Sequence, residues 1–339
     1  MDKINIKRLA EELNLSTSTI SRALQDSYQI GAETKQRVLD LAKKLNYVPN
    51  PHASSLGSRK SHMIAVVIPE VFDSYFAQAI NGIESVTQEK GYHVLIYMTH
   101  EQFAKEQAIL NTFHSGRVDG VILSVSAETK DMTHIQTLHE QQVPVVLFDR
   151  VGEALATSKV TTDNREGGYA ATKHLLERGC RNIAFLSISR DLSIGRWRLE
   201  GHHKALRDYD LPINEHYIID CTESDEVNGK LIKAFLRKHP EVDGLIATVE
   251  KLTISAYQAC SELHLRIPEE VKVISFSNSR SAPWLNPSLT TITQPAFEMG
   301  KAAATMLCKA LKHKNPASVV ESVILPSQLI VRQSTGVAI

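Results

Sequence analysis

Ile6-Lys7-Arg8-Leu9-Ala10-Glu11-Glu12-Leu13-Asn14-Leu15-Ser16-Thr17-Ser18-Thr19-Ile20-Ser21-Arg22-Ala23-Leu24 is the stretch on which the reading turns. Ile6, Leu9, Ala10 and Leu13 fall at i, i+3, i+4 and i+7, one face of a helix, with Asn5 before them as N-cap. Asn14-Leu15 breaks the pattern, and Ser16 caps a second helix in which Ile20, Ala23 and Leu24 face inward. Thr17, Ser18, Ser21 and Arg22 point the other way. Gly31 opens a third helix with the stripe Val38, Leu41, Ala42 and Leu45. Three short helices, the first two joined by a tight turn, make a helix-turn-helix.

The exposed face of the second helix is short, polar and rich in donors, and its N-terminus presents unpaired N–H groups suited to phosphate. Thr17 and Ser18 can reach base edges, and Arg22 can fork onto guanine or clamp a phosphate. A solvated helix of ordinary kind would show the same residues, so the helix alone leaves both readings open. Charge leans toward a polyanion. Residues 1–60 hold ten Lys/Arg and six Asp/Glu, an excess of four positive charges, and the remainder holds 28 basic against 32 acidic residues, the same excess of negative ones.

Next comes Asn46-Tyr47-Val48-Pro49-Asn50-Pro51-His52-Ala53-Ser54-Ser55-Leu56-Gly57-Ser58-Arg59-Lys60-Ser61. Asn50 as N-cap and Pro51 at the first position suggest a short helix before a Gly/Ser/basic linker. Such a helix is unstable alone, and Leu56 needs burial; insertion as an apolar wedge into a minor groove would answer both. The plain alternative is a flexible linker.

The run from Ile6 to Leu24, followed by Leu45-Asn46-Tyr47-Val48-Pro49-Asn50, resembles the head of the LacI/GalR family of bacterial transcriptional repressors. The resemblance implies that Thr17, Ser18 and Arg22 read the major groove. Ala53 and Leu56 would then enter the minor groove, and Tyr47 and Asn50 would touch the backbone. Asn5, Ser16, Thr19, Ser21 and His52 complete the expected DNA-binding set. Pro51 and Gly31 are mild departures from the family pattern.

From residue 62 onward, strand-like and helical patterns alternate. Strands are read at Ile64–Ile68, Val94–Tyr97, Val121–Leu123, Val145–Phe148, Ile183–Leu186, Tyr217–Ile219, Leu245–Ala247 and Val271–Phe276. Amphipathic stretches such as Phe76–Lys90, Arg165–Arg178, Trp197–Asp208 and Lys251–Leu263 lie between them. Continuous apolar strands alternating with helices indicate buried parallel sheets. The expected fold is α/β: a helix-turn-helix head (1–46), a hinge helix and linker (47–61), and two doubly wound parallel-sheet subdomains of the periplasmic-binding type. These are assigned to residues 62–161 plus 292–321 and to 162–291 plus 322–339.

Ligands in such folds sit beyond the C-terminal ends of the strands. Those ends carry Phe72, Asp73, Tyr75, Phe76, Ser126, Asp149, Arg150, Arg196, Arg198, Glu250, Ser277 and Asn278, with Trp284 beyond. Aromatic faces for a ring, with Asp and Arg to orient polar groups, suit a sugar or sugar derivative. By resemblance these positions hold the effector, and Arg196-Trp197-Arg198-Leu199-Glu200-Gly201 fits the family motif. Two departures stand out. Val249-Glu250 replaces the usual Asn-Asp pair of sugar-binding members, and Ser275-Phe276-Ser277-Asn278 replaces their Gly-aromatic-Asp-Asp/Asn. An unusual, larger or charged effector, a weakly binding cleft and regulation by a protein partner all remain open.

Composition closes off other classes. The chain has 339 residues, 42% of them apolar, enough for two or three compact units. No charge-free apolar run of membrane-spanning length occurs, and Met1-Asp2-Lys3-Ile4-Asn5-Ile6-Lys7-Arg8 lacks a signal-peptide pattern, so a cytoplasmic protein is expected. Cys180, Cys221, Cys260 and Cys308 are widely spaced and read as reduced, buried thiols. No phosphate-binding loop, nucleophile elbow or zinc motif is present, so no enzyme, metal or cofactor is expected. His202-His203 lies on a helix without ligand spacing, and His100, His114, His134 and His139 read as solvated surface. The expectation is a homodimeric repressor, bound to a pseudo-palindromic double-stranded operator and controlled by a small effector in the cleft. A solute-binding protein of the same fold and an activator are the alternatives.

Overall fold

A computed structural model of the protein describes residues 5–24, 26–47, 60–71, 74–221 and 224–336. The chain divides into a unit of residues 1–62 and a unit of residues 63–339. In the first, α1 (Ile6–Leu13), α2 (Thr17–Leu24) and α3 (Ala32–Lys44) enclose a core of Leu9, Ala10, Ile20, Ala23, Val38 and Ala42. Asn5 Oδ1 accepts from the amides of Lys7 and Arg8 at 3.0 and 3.1 Å, and Asn14 closes α1 with φ 52°. Asparagine tolerates this left-handed turn, which sends the chain sharply into α2. Ser16 Oγ accepts from the Thr19 amide at 3.1 Å, the N-cap geometry its position suggests.

The second unit holds two six-stranded sheets, which we call the sheets of the first and second lobes. The first runs β11-β5-β4-β3-β1-β2 and is parallel throughout. Its strands are β1 (Met63–Ile68), β2 (His93–Met98), β3 (Gly120–Leu123), β4 (Val145–Phe148), β5 (Ser158–Thr162) and β11 (Ser322–Leu325). The second runs β12-β10-β9-β8-β6-β7, where only β12 is antiparallel to its neighbour. Here the strands are β6 (Ile183–Ser187), β7 (Ile218–Asp220), β8 (Gly244–Ala247), β9 (Lys272–Phe276), β10 (Thr290–Thr293) and β12 (Gln328–Ile330). Buried on both faces, β1, β3, β4 and β8 form unbroken apolar runs, and β6 and β9 depart from this only at Ser187, Lys272 and Ser275, as covered parallel strands should.

The helices of this unit are α4 (Ser74–Glu89), α5 (Phe103–Asn111), α6 (Thr133–Glu140), α7 (Asn164–Glu177), α8 (Ser193–Asp208), α9 (Asp225–Lys238), α10 (Glu250–Glu262) and α11 (Ala296–Ala310). α4 packs on α11, and α7 on α8, each pair at a glycine crossing. A Cβ on Gly168 would stand 2.1 Å from the Arg198 carbonyl oxygen, and one on Gly201 2.0 Å from that of Arg165.

The chain passes between sheets after β5, between β10 and α11, and between β11 and β12. Two expected boundaries move. Placing the second lobe at 162–291 and then from 322 would cut β10 and assign β11 to the wrong sheet, whereas Ser322–Leu325 pairs with Lys159–Thr162 of the first. The reason is that β10 and β11 are short strands whose patterns, Thr-Thr-Ile-Thr and Ser-Val-Ile-Leu, name no sheet. Ser334 and Thr335 are built into the second lobe: Ser334 Oγ donates to the Val273 carbonyl at 2.6 Å, and Thr335 Oγ1 lies 2.8 Å from His174 Nε2.

His134 also differs from expectation. It is buried, its Nε2 2.8 Å from Glu106 Oε1, because its position on α6 shares the inward face with Ile135 and Leu138. His100 and His114 are exposed and His139 is half-buried. All four cysteines are buried and unpaired with one another.

Candidate nucleic-acid interface and ligand cleft

The outer face of α2 presents Thr17, Ser18 and Arg22 to solvent, with Thr19 and Ser21 half-buried beside them. This follows from the inward turn of Ile20 and Ala23, which fixes the helix rotation. Asn5 and Ser16 are engaged as caps, and Ser16 Oγ also lies 2.9 Å from Thr19 Oγ1. Tyr47 is half-buried against the head core. Asn50, His52, Ala53 and Leu56 lie outside the described residues.

In the second unit, the strand ends of both lobes face one cavity of about 30 Å³. Its walls bring together Tyr75, Phe76, Asp149 and Arg150 of the first lobe with Arg198, Glu250, Ser277 and Asn278 of the second. Ser126, Arg196 and Trp284 do not join them. Ser126 is buried under the first lobe, its amide donating to Glu106 at 2.6 Å. Arg196 is exposed and pairs with Glu153 at 2.6 Å. Trp284 is 85% exposed on a short turn after β9, beyond reach of the cavity. Phe72 and Asp73 lie outside the described residues. The cavity also takes Ile194, Val249, Phe276 and Gln294, which the sequence reading left out of the site. The one available signal for Gln294 was its place at the second crossing.

Charge is concentrated at the centre. Arg198 is 1% exposed; its Nε donates to Asn164 Oδ1 at 2.8 Å, and another guanidinium N–H to the Thr248 carbonyl. Burial pulls its pKa down to about 10, against the opposing charge of Asp149. Burial likewise pushes the Asp149 carboxyl above the usual range, although Arg198, Arg150, Gln294 and the Tyr75 hydroxyl act to lower it. Tyr75 is raised well above a free phenol, first by burial and then by Asp149. Asp149 stands in the left-handed region at φ 60°, the kind of local strain that persists where packing holds a side chain in place. Arg150 is anchored from behind, with one guanidinium nitrogen 2.9 and 2.7 Å from the two Glu101 oxygens. Burial alone would raise Glu101, but the Arg150 charge and hydrogen bond hold it low.

His202 is a core residue: Nδ1 lies 2.9 Å from Thr172 Oγ1, and burial lowers its pKa to about 3. Among the described residues no group of three His, Cys, Asp or Glu is placed to hold a metal ion. No described helix is long and apolar enough to cross a membrane.

Residues 5–50 match the bacterial regulatory proteins of the lacI family, and residues 172–335 match a periplasmic binding protein-like domain. The chain belongs to the LacI family. It is 29% identical over 335 residues to the HTH-type transcriptional regulator DegA of Bacillus subtilis, covering 98% of each chain. It is also 29% identical over 331 residues to the ribose operon repressor of Halalkalibacterium halodurans, covering 97% and 96%. A solved complex of the transcriptional regulator CelR with cellobiose matches at a TM-score of 0.73 and 25% identity, over 98% of this chain and all of that one. As a LacI-family member the protein is a DNA-binding transcriptional regulator, and the family is one of regulators, not enzymes.

Proposed function

We propose that this LacI-family regulator is a cytoplasmic repressor that grips a pseudo-palindromic operator as a homodimer and is controlled by a sugar or sugar derivative in the cleft. The observation that carries the effector half is the convergence of Tyr75, Asp149, Arg150 and Arg198 with donors of the second lobe on one cavity. Paired charges and aromatic edges in a buried site suit an oxygen-rich ring with few apolar faces. The similarity to a regulator solved with cellobiose and to a ribose operon repressor supports a carbohydrate class.

In this reading residues 1–46 form the head and 47–61 the hinge, the remainder being the two lobes. Thr17, Ser18 and Arg22 read bases or clamp phosphate, and Ala53 and Leu56 enter the minor groove, as the family resemblance implies. A two-fold dimer presents two α2 helices to two half-sites one helical turn or more apart. Val227, Leu231 and Ile254 are exposed apolar side chains on the packed helices α9 and α10, and a second subunit would cover them.

The test is a binding-site selection with full-length protein, followed by titration of the selected duplex with sugars and sugar acids present. Operator affinity that changes with one of them supports the reading. Equal affinity for selected and random duplex, or a selected duplex indifferent to every candidate, rejects it.

A further inference from the structure

The carboxylate of Glu250 is held by four donors. Oε1 accepts from the Ser74 hydroxyl at 2.8 Å and the Ser74 amide at 3.4 Å. Oε2 accepts from the Ser277 hydroxyl at 2.9 Å and the Asn278 amide at 3.1 Å. Ser74 opens α4 of the first lobe, whereas Ser277 and Asn278 follow β9 of the second. One two-oxygen group therefore joins the lobes, each oxygen facing one of them. Glu250 is itself the first residue of α10, where the helix dipole favours a negative charge.

Other bonds cross the cleft but differ in kind. Gln78 Nε2 donates to the Asn278 carbonyl at 3.0 Å. Arg196 pairs with Glu153 at 2.6 Å and Lys130 with Asp191 at 3.1 Å, all four side chains about half exposed or more. Exposed pairs of this sort contribute little, whereas charge-assisted bonds are about twice as strong as neutral ones. With these contacts made, the cavity between the lobes measures about 30 Å³, far below the roughly 300 Å³ of a small-ligand pocket.

We propose that Glu250 is a built-in latch: its carboxylate fills a cradle of four donors shared by both lobes and joins them directly, so a ligand that reaches this end of the cleft must take over or break that cradle. The chemical class that fits the cradle directly is a small carboxylate, because four converging donors on two oxygens match that group. The inference rests on the reading of this cleft as the effector site, but it is tested without an effector.

The reporter is the Val151 amide, which donates to Ser193 Oγ of the other lobe at 3.1 Å and does not touch Glu250. Hydrogen exchange is followed in the full-length protein and in Glu250→Ala, with the Val66 and Ile246 amides as fold controls. The alanine variant is expected to exchange at Val151 at least about tenfold faster with the controls unchanged. Propionate, which replaces the deleted side chain, restores protection; propionamide and chloride at matched ionic strength do not. Unchanged exchange at Val151 overturns the latch. Faster exchange that propionate fails to slow overturns the cradle. Should Glu250→Ala not fold, Ser74→Ala removes one cradle donor from the first lobe only and gives a smaller rise at Val151, and no rise there is equally fatal. Since no effector is added, failure here leaves the effector titration to stand or fall separately.

Discussion

The guanidinium carbon of Arg198 lies 4.0 Å from the centroid of the Phe276 ring. The stacking face of the cation is thereby satisfied, its edge reaches Asn164 and Thr248, and its charge opposes Asp149 across the cleft. Lysine cannot reproduce this combination of planar stacking and forked donors. Arg198→Met is expected to lower unfolding free energy by about 3 kcal/mol, since it leaves Asp149 buried with one counter-charge fewer. Urea denaturation checks it, and Arg198→Lys should recover less than half of the loss.

Thr17 and Ser18 project from α2 without supporting the head core. Exchanging them for Asn and Gln should redirect base preference at one or two operator positions, each by about 1–3 kcal/mol, while nonspecific affinity changes little. A selection experiment on the double variant that returns the original operator would contradict their role as readers.

Stability should fall on mild acidification because of His202. Its folded pKa, about 3, lies below the unfolded value, so the unfolded chain binds the extra proton first. The contribution is complete above about pH 6.5 and is lost at about 1.4 kcal/mol per pH unit as pH drops below it. Unfolding free energies from urea titrations at pH 7 and pH 5 should therefore diverge by about 2 kcal/mol more in the wild type than in His202→Gln. Identical divergence in both would show that the imidazole is not kept neutral.

Gly201 and Gly168 let α7 and α8 approach within backbone contact, which fixes the helix that carries Arg198. Gly201→Ala should destabilise by about 1–3 kcal/mol or more through overpacking against the Arg165 carbonyl. It should also weaken the response to effector more than Gly229→Ala, a site with open space around its Cα. Thermal melts and ligand titration of the two variants provide the comparison.

Ile254 is 60% exposed on α10, and Val227 and Leu231 are exposed on α9, which packs against it. Ile254→Asp should shift the monomer–dimer equilibrium toward monomer by at least about tenfold, because a charge would be buried unpaired in the joint. Sedimentation velocity measures this directly, and operator affinity should drop in parallel.

Much of this architecture was readable from the chain because its cause is local. The turn at Asn14, the face of α2 and strands β1, β3 and β4 each follow from a short run of side chains. Strands β5 and β10, rich in threonine, carry no such signal: their burial comes from neighbours far along the chain. The same holds for the cleft. Asp149, Arg150 and Arg198 stand at strand and helix ends where ligands gather, but the Glu101 partner of Arg150 and the link from Ser74 to Glu250, 176 residues apart, exist only once both sheets have formed. Trp284 misled because an aromatic residue near a strand end resembles a ring platform until its turn is seen to face outward.

The three passages of the polypeptide between sheets also constrain how such proteins diversify. No single recombination breakpoint can transplant either half of the core intact, since each half draws on separated stretches of the gene. A chimaera meant to inherit another regulator's ligand preference needs junctions near residues 162, 294 and 326 together. Crossing over at only one of them would join strands to a sheet they were never shaped to edge.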